Sequence, residues 1–234
     1  MIPEPERTPA TGDHDAILLQ RARVVERLAG SAWHELAQPL TGLSGLLSLA
    51  RMEGPDEGDP VVEPELVAAA VAVIRRLTRA LTDLARGSER PAGLRELVED
   101  VTALARYDLA GVEVVIDVPP DAPEPGMSPA ALRLVAASLV VDAVDALRPE
   151  RAALDPEPPA PRHLRWSAPS AVPAGGALPE AGAPRARLVL EHDGRTGAPG
   201  SIGLLRELMR RGGGDLEHEQ PAARGSRSIL SVPV

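Results

Sequence analysis

The sequence predicts an α+β protein in which an antiparallel helical hairpin precedes a mixed domain of helices and strands. Before residue 88, apolar residues recur every three, four or seven positions, which is typical of amphipathic helices. After it, helical segments alternate with short β-branched runs. The length of 234 residues and the 44% hydrophobic content allow one or two domains with substantial cores.

Composition excludes several functional classes. The chain has 34 acidic and 25 basic residues and no cysteine, which excludes disulfide frameworks, cysteine zinc sites and thiol catalysis. The acidic balance, with no compensating basic patch, argues against nucleic-acid binding. No apolar run approaches the roughly 18 residues of a membrane span. The first residues lack a signal-peptide pattern, so we expect a cytoplasmic protein with neither membrane nor nucleic-acid partners.

The chain also lacks lysine, phenylalanine and asparagine, so all 25 basic residues are arginine. AT-rich codons encode these three residue types, and a GC-rich genome accounts for their absence. The chemical consequence holds whatever the cause. No mechanism that requires an asparagine or a lysine side chain can operate in this protein.

The first predicted helix is long and amphipathic. Residues 1–12 contain three prolines and are expected to form a disordered tail. Asp13 is the expected N-cap of a helix that runs to Met52 and that Pro39 should bend. The apolar positions that define its stripe are Leu18, Val25, Leu28, Ala32, Leu36, Leu43, Leu47 and Ala50.

A second helix follows the loop at residues 54–60 and runs from Glu63 to Arg86. Its apolar positions form a heptad seam at Leu66, Ala70, Val73, Leu77, Ala80 and Leu84. Together the two helices predict a hairpin over residues 13–88. Because one hairpin buries too little apolar surface, we expect two copies to pair as a dimeric four-helix bundle.

Residues 89–234 are predicted to form the mixed domain. Within it, residues 149–184 are rich in proline and are expected to be a flexible insertion that holds one short strand. The predicted elements are helices Leu94–Arg106, Ala130–Leu147 and Ile202–Arg211, and strands Val112–Val118, Leu164–Ser167, Arg187–His192, Asp215–Glu219 and Ser228–Val232. The dipeptide Ser128-Pro129 opens the second of these helices.

The segment HELAQPL, residues 34–40, gives the strongest local signal for chemistry. His34 lies about 160–180° around the helix from Leu36 and Leu43, so its imidazole is expected to be exposed. Neutral imidazole is a nucleophile near pH 7, and the adjacent Glu35 carboxylate can accept its proton. For a His-Glu pair taken alone, a solvated surface histidine is the commoner explanation.

The wider arrangement favours the chemical interpretation. HELAQPLTGL resembles the phospho-acceptor box of two-component sensor histidine kinases. The later segments, from LRELVEDVTALAR to GGGDLEHEQPAARGSRSILSVPV, are similar in order to the pieces of a GHKL-type (Bergerat-like) ATP-binding domain. The resemblance implies a dimerisation and histidine-phosphotransfer hairpin over residues 13–88. It also implies a degenerate, α/β-sandwich GHKL domain over residues 89–234.

By this resemblance, His34 is the phosphorylated nucleophile and Glu35 is its acid/base partner. Gln38 matches the position that orients water when a response regulator is dephosphorylated. Pro39 matches the helix bend below the histidine. The implied partners are response regulator receiver domains and a second copy of the chain.

The nucleotide half departs from the family pattern. The family's magnesium-binding asparagine corresponds to Asp142, and the chain has no asparagine elsewhere to replace it. Aspartate can bind magnesium, although it adds negative charge beside a triphosphate. Where the family has Asp-x-Gly-x-Gly, this chain has Asp193 and Gly197, with Arg195 at the first glycine position.

The lid between the family's two glycine boxes is missing from the sequence. Gly197, Gly200 and Gly203 lead directly into the last predicted helix, where backbone N–H groups could face phosphate. We therefore expect a vestigial nucleotide pocket formed by Asp142, Asp193 and these glycines. No cofactor or metal is assigned to it, and Mg-ATP with Asp142 as ligand applies only if the pocket is functional.

Three functions remain open on the sequence. The first is a histidine phosphotransferase or pseudokinase, most similar to dimeric histidine phosphotransferases, which moves phosphoryl groups between response regulators. The second is an ATP-dependent sensor histidine kinase with a shortened lid. The third is a non-catalytic dimeric adaptor for a response regulator. The altered asparagine position and the missing lid favour the first.

Two further features are secondary. Trp33, next to the histidine, is either a docking anchor or a packed helix aromatic. The other histidines are scattered along the chain without metal-ligand spacing, at His14, His163, His192 and His218.

Overall fold

The computed structural model describes residues 11–52, 64–147, 162–168, 185–194, 201–220 and 225–234. Within them, five helices and a five-stranded mixed sheet confirm the predicted α+β class. The helices are α1 (Thr11–Met52), α2 (Pro64–Arg86), α3 (Leu94–Leu104), α4 (Pro129–Leu147) and α5 (Ile202–Arg211). The strands are β1 (Val112–Asp117), β2 (Arg162–Ser167), β3 (Arg185–His192), β4 (Asp215–Glu219) and β5 (Ser226–Pro233).

The start of α1 differs from the sequence prediction. The helix begins at Thr11, so Asp13 lies inside its first turn, whereas an N-cap residue has a non-helical backbone. The helix continues through Pro39 without a break. The rest of the predicted tail, residues 1–10, and the predicted loop at residues 54–60 lie outside the described residues.

The sheet has the order β1-β2-β3-β5-β4, with β1 and β2 parallel and the other pairs antiparallel. Strand β2 lies within the predicted insertion, so part of that range belongs to the sheet, while residues 149–161 and 169–184 lie outside the described residues. Trp166 of β2 is fully buried, and its Nε1–H donates to Thr102 Oγ1 of α3 at 3.2 Å. This bond joins the sheet to the layer of helices.

Helix α4 forms the centre of that layer. The Ser128 Oγ accepts a hydrogen bond from the Ala131 N–H at 3.2 Å, and Pro129 is the first helical residue, as predicted. Most of the helix is buried because it packs between α1, α3, α5 and the sheet. Helices α3 to α5 and the five strands together are called the sheet domain below.

The hairpin of α1 and α2 buries only part of its predicted apolar seam. The buried residues of the predicted seam are Leu28 and Ala32 on α1 and Leu77, Ala80 and Leu84 on α2. On α1, Val24 is buried, whereas the predicted Val25 is half-buried. Leu18, Leu47, Leu66 and Val73, which the spacing also places on the seam, are exposed. Each helix of a single hairpin has only one helical neighbour within the hairpin, so much apolar surface remains uncovered.

We expect Thr102→Val to lower the free energy of unfolding by about 1–3 kcal/mol, because it removes the acceptor of the buried Trp166 N–H at nearly constant volume. Urea unfolding followed by tryptophan fluorescence measures the change. Thr78→Val, on the exposed surface of α2, is the matched control and should have little effect. An equal loss of stability in both variants would contradict the role given to the Trp166–Thr102 bond.

Candidate functional site

His34 lies on the outer face of α1, as its spacing predicts, and its side chain is exposed. Ser31 and Arg27 precede it by three and seven residues and therefore share this face. Glu35 is half-buried, and Gln38, one turn further on, is exposed. The three side chains predicted to carry phosphoryl chemistry thus lie within one stretch of the helix.

The connection between α3 and β1, residues 105–111, docks against the same face of α1. The Arg27 guanidinium donates to Asp108 Oδ2 at 3.0 Å and to Asp145 Oδ1 of α4 at 3.1 Å. The Asp108 backbone N–H donates to Oγ of the buried Ser31 at 3.4 Å. One arginine therefore joins the hairpin to two elements of the sheet domain.

This docking places Tyr107 against His34. The two ring centroids are 4.0 Å apart, and the ring planes are inclined by 14°, so the rings are stacked. The sequence analysis did not identify Tyr107. The available signal was its rarity, since the chain has one tyrosine and no phenylalanine. No local spacing relates two residues so distant in sequence.

An open cleft of about 1140 Å³ lies beside the stacked rings, between the hairpin and the sheet domain. Glu35, Gln38 and Pro39 of α1 line one side of it, and Tyr107 also contributes to the lining. Half-buried apolar residues of the edge strand β1 complete the boundary with side chains from α2 and α3. Gln38 is exposed in this open cleft and is therefore accessible from solvent.

Two arginines line the cleft, and they differ in whether their charge is paired. Arg76 donates to Asp100 Oδ1 at 2.9 Å and to Glu99 Oε2 at 3.2 Å, so its charge is already balanced. Burial raises the pKa of Asp100, although the hydrogen bond from Arg76 opposes the shift. Arg106 is exposed, and within the described part of the chain it forms no ion pair. Of the two, Arg106 is open to an anionic group.

Asp142 lies on α4, at the position that the resemblance assigns to a magnesium ligand. The Ser201 hydroxyl donates to Asp142 Oδ2 at 3.3 Å, which links α4 to the residue before α5. Burial raises the pKa of Asp142 to about 6, with the Ser201 hydrogen bond opposing the shift and the nearby Asp145 charge adding to it.

Asp193 extends the pairing between β2 and β3. Its exposed carboxylate accepts a hydrogen bond from the His163 N–H at 3.1 Å, and its own N–H donates to the His163 carbonyl at 3.3 Å. The next residue, Gly194, packs on the backbone of α4. A Cβ atom at this position would lie 2.6 Å from the carbonyl carbon of Ala146, so a side chain has no room there.

Of the three glycines predicted to face phosphate, the structure describes one, Gly203. Gly197 and Gly200 lie outside the described residues, and Gly203 is exposed on α5 with open space around it. Across the described ranges, no group of three or more His, Cys, Asp or Glu side chains could hold a metal ion.

Two of the scattered histidines, His192 at the end of β3 and His218 on β4, lie on either side of the start of β5. Burial, followed by the nearby His218 charge, lowers the pKa of His192 to about 4, so its ring is neutral at physiological pH. Its Nδ1 accepts a hydrogen bond from the Gly194 N–H at 3.2 Å. His218 hydrogen-bonds Ser228 at 2.9 Å and Ser226 at 3.3 Å. These contacts give the two rings a packing role.

Trp33 differs from one of the two sequence-based interpretations. Its side chain is 67% exposed, so it is not a packed helix aromatic within a single chain. The exposure of Trp33 therefore favours the docking interpretation. In the part of the chain that the structure describes, no helix is long and apolar enough to cross a membrane.

Comparison with known proteins returned no matching family model and no matching curated protein. The chain is similar in structure to histidine kinase domains. The catalytic domain of the histidine kinase ThkA aligns with 61% of this chain and 93% of its own, at 12% identity and a TM-score of 0.45.

Two further similar structures cover more of this chain. Acinetobacter baumannii histidine kinase AdeS aligns with 86% of this chain and 97% of its own, at 15% identity and a TM-score of 0.43. The histidine kinase domain of the Erythrobacter litoralis blue-light activated kinase aligns with 91% of this chain and 93% of its own, at 13% identity and a TM-score of 0.40.

We expect Asp142→Asn to stabilise the fold at neutral pH and to have little effect near pH 4. Because the folded state raises the pKa of Asp142 to about 6, its favourable contribution is complete below its ordinary value of 3.8. That contribution is lost as the pH rises through the folded-state pKa. Denaturant unfolding of both proteins across this range measures the difference.

The exposed Asp121 supplies the control for this experiment, as Asp121→Asn. Its effect on stability should not follow the same pH dependence. A stability difference between Asp142→Asn and the parent protein that is constant with pH would contradict the raised pKa.

Proposed function

We propose that this protein is a two-component signalling protein that carries a phosphoryl group on His34 and exchanges it with aspartates of response regulator receiver domains. The observation that carries the proposal is the exposed His34 beside an open cleft lined by Glu35 and Gln38. An exposed imidazole next to a carboxylate can act as a nucleophile toward a docked phosphoryl donor.

The proposed step is a direct phosphoryl transfer. A neutral ring nitrogen of His34 attacks the phosphorus of a receiver aspartyl phosphate. The P–N bond forms as the P–O bond to the aspartate breaks, and the aspartate leaves as a carboxylate. Glu35 accepts the proton from the other ring nitrogen. Reversal of these events on a second receiver passes the phosphoryl group on, and Gln38 orients water when the aspartyl phosphate of a receiver is hydrolysed instead.

The contacts of the predicted nucleotide residues support transfer between receivers over transfer from ATP. Asp142 is bonded to Ser201, Asp193 is bonded to the backbone of β2, and Gly194 packs directly on α4. An ATP-dependent kinase with a shortened lid is the alternative. His34 labelling that depends on Mg-ATP would favour that alternative.

We also propose that two copies pair through the hairpin as a four-helix bundle. Leu18, Trp33, Leu40 and Leu47 are all at least 45% exposed. At 100° per residue they fall within about 60° of one another on α1, whereas His34 lies about 100–160° away from them. A second copy on this face would cover the apolar residues and leave His34 open to a receiver domain.

We expect His34 to become labelled when the protein is mixed with a receiver domain whose aspartate carries a radiolabelled phosphoryl group. The label should be acid-labile and alkali-stable, as phosphohistidine is, and His34→Gln should abolish it. Labelled Mg-ATP should give no signal. With Gln38→Ala, the receiver aspartyl phosphate should be hydrolysed to inorganic phosphate more slowly than with the parent protein, because Gln38 no longer orients the attacking water.

The same assay separates the three functions. Labelling of His34 from Mg-ATP would contradict the phosphotransferase proposal in favour of the kinase. No labelling from either donor, with binding of the receiver domain retained, would leave the adaptor. Circular dichroism of His34→Gln confirms that any loss of label is chemical and not due to unfolding.

We expect the protein to be dimeric at micromolar concentration in size-exclusion chromatography with light scattering. The double substitution Leu40→Glu with Leu47→Glu should yield monomers, because it places charge in the proposed interface. Leu49→Glu is the matched control, since Leu49 is 59% exposed on another side of α1. A monomeric parent protein, or equal dissociation of both variants, would contradict the proposed bundle.

A further inference from the structure

We propose that Tyr107 is a positioning residue for the phospho-accepting histidine, supplied to the hairpin by the sheet domain. The inference rests on the proposed function, in which His34 is the nucleophile. In this inference, the turn at residues 105–111 forms part of the phosphotransfer site. Its role there does not depend on a bound nucleotide.

The geometry of the stack suits this role. Tyr107 covers one face of the His34 ring, with the ring planes nearly parallel and the centroids 4.0 Å apart. The nitrogens of an imidazole are on its edge, and their lone pairs and protons lie in the ring plane. A partner on the face therefore restricts rotation of the ring about its side-chain bonds without blocking either nitrogen. Both rings remain accessible, because neither side chain is buried.

The connection that carries Tyr107 is itself held firmly. Asp108, the next residue, is bonded to Arg27 and Ser31, which precede His34 by seven and three residues on the same helical face. Leu109 is buried, and its N–H donates to the Ala105 carbonyl at 3.0 Å. Tyr107 is thus presented by a turn that is anchored to α1 on the face that carries the histidine.

The stack also favours the transition state electrostatically. When the unprotonated nitrogen of a neutral His34 attacks phosphorus, the ring gains positive charge until Glu35 accepts the proton of the other ring nitrogen. The face of a tyrosine ring attracts a cation and stabilises it during this interval. Fixing the ring in advance removes part of the entropic cost of aligning the nitrogen with phosphorus. Both effects act through His34, so Tyr107 need not contact the phosphoryl group.

The test uses the full chain and phosphoramidate, a small phosphoryl donor that needs no receiver domain. Its phosphorus–nitrogen bond breaks, ammonia leaves, and the phosphoryl group forms a new bond to the imidazole nitrogen. We expect Tyr107→Leu to slow the phosphorylation of His34 by about three- to tenfold. Tyr107→Phe, which keeps the ring and removes the hydroxyl, should phosphorylate His34 at the rate of the parent protein.

A spectroscopic measurement tests the stack independently of the reaction. The chain has five histidines, and comparison with His34→Gln identifies the ring-proton signals of His34. In the parent protein and in Tyr107→Phe these signals should be shifted upfield by the aromatic ring. In Tyr107→Leu they should move toward the values of a free histidine. Asp108→Asn, which weakens the anchor, should move them in the same direction by a smaller amount.

The outcomes separate this inference from the proposed function. Equal phosphorylation rates in Tyr107→Leu and the parent, or unshifted His34 signals in the parent, would overturn the positioning role. A slow Tyr107→Phe would overturn it as well, because the hydroxyl and not the ring would then matter. If receiver domains fail to label His34 while its signals remain shifted, the proposed function fails and the stack stands.

Discussion

The contact on which the arrangement depends is the pairing of Arg27 with Asp108 and Asp145. It joins α1, α4 and the connection before β1, three elements that are far apart in sequence. The Asp108 carboxylate is only 13% exposed, so solvent screens this pair less than the pair with Asp145, which is 55% exposed. Removing Arg27 would leave a largely buried carboxylate without one of its partners, which is more costly than losing a surface ion pair.

This docking changes the role that the sheet domain can play. A domain that delivers a nucleotide to a histidine needs freedom to approach it and a pocket that admits Mg²⁺ and triphosphate. Here the domain is bonded to the histidine-bearing helix, and Asp142 and Gly194 are engaged in internal contacts. Its contribution near His34 is instead a turn that carries an aromatic ring and, one residue earlier, an exposed arginine. In the proposed function, the sheet domain therefore positions His34 and does not supply the phosphoryl group from ATP.

The sequence predicted the elements well and their mutual placement poorly. Amphipathic spacing located α1 and α2 because each helix has one apolar face, and the β-branched run at β1 has the alternation of a half-buried strand. His34 was predicted to be exposed because its angle from the apolar stripe follows from the helix alone. Tyr107 and Arg27 could not be predicted, because their roles arise only when distant segments pack together. Exposure of Leu18 and Leu47 was missed for a related reason, since spacing reveals an apolar face but not whether a single chain covers it.

The hairpin and the sheet domain form one docked unit around Arg27. The absence of cysteine from the chain allows a pair of spin labels to be introduced at exposed positions, Arg23→Cys on α1 and Arg187→Cys on β3. Doubly labelled protein, diluted with unlabelled protein to isolate one protomer, gives the distance between the two labels by pulsed electron spin resonance. If the two parts are docked in this way, the distance distribution is single and narrow, and it broadens when Arg27→Ala is added. A broad distribution that Arg27→Ala leaves unchanged would contradict this docking.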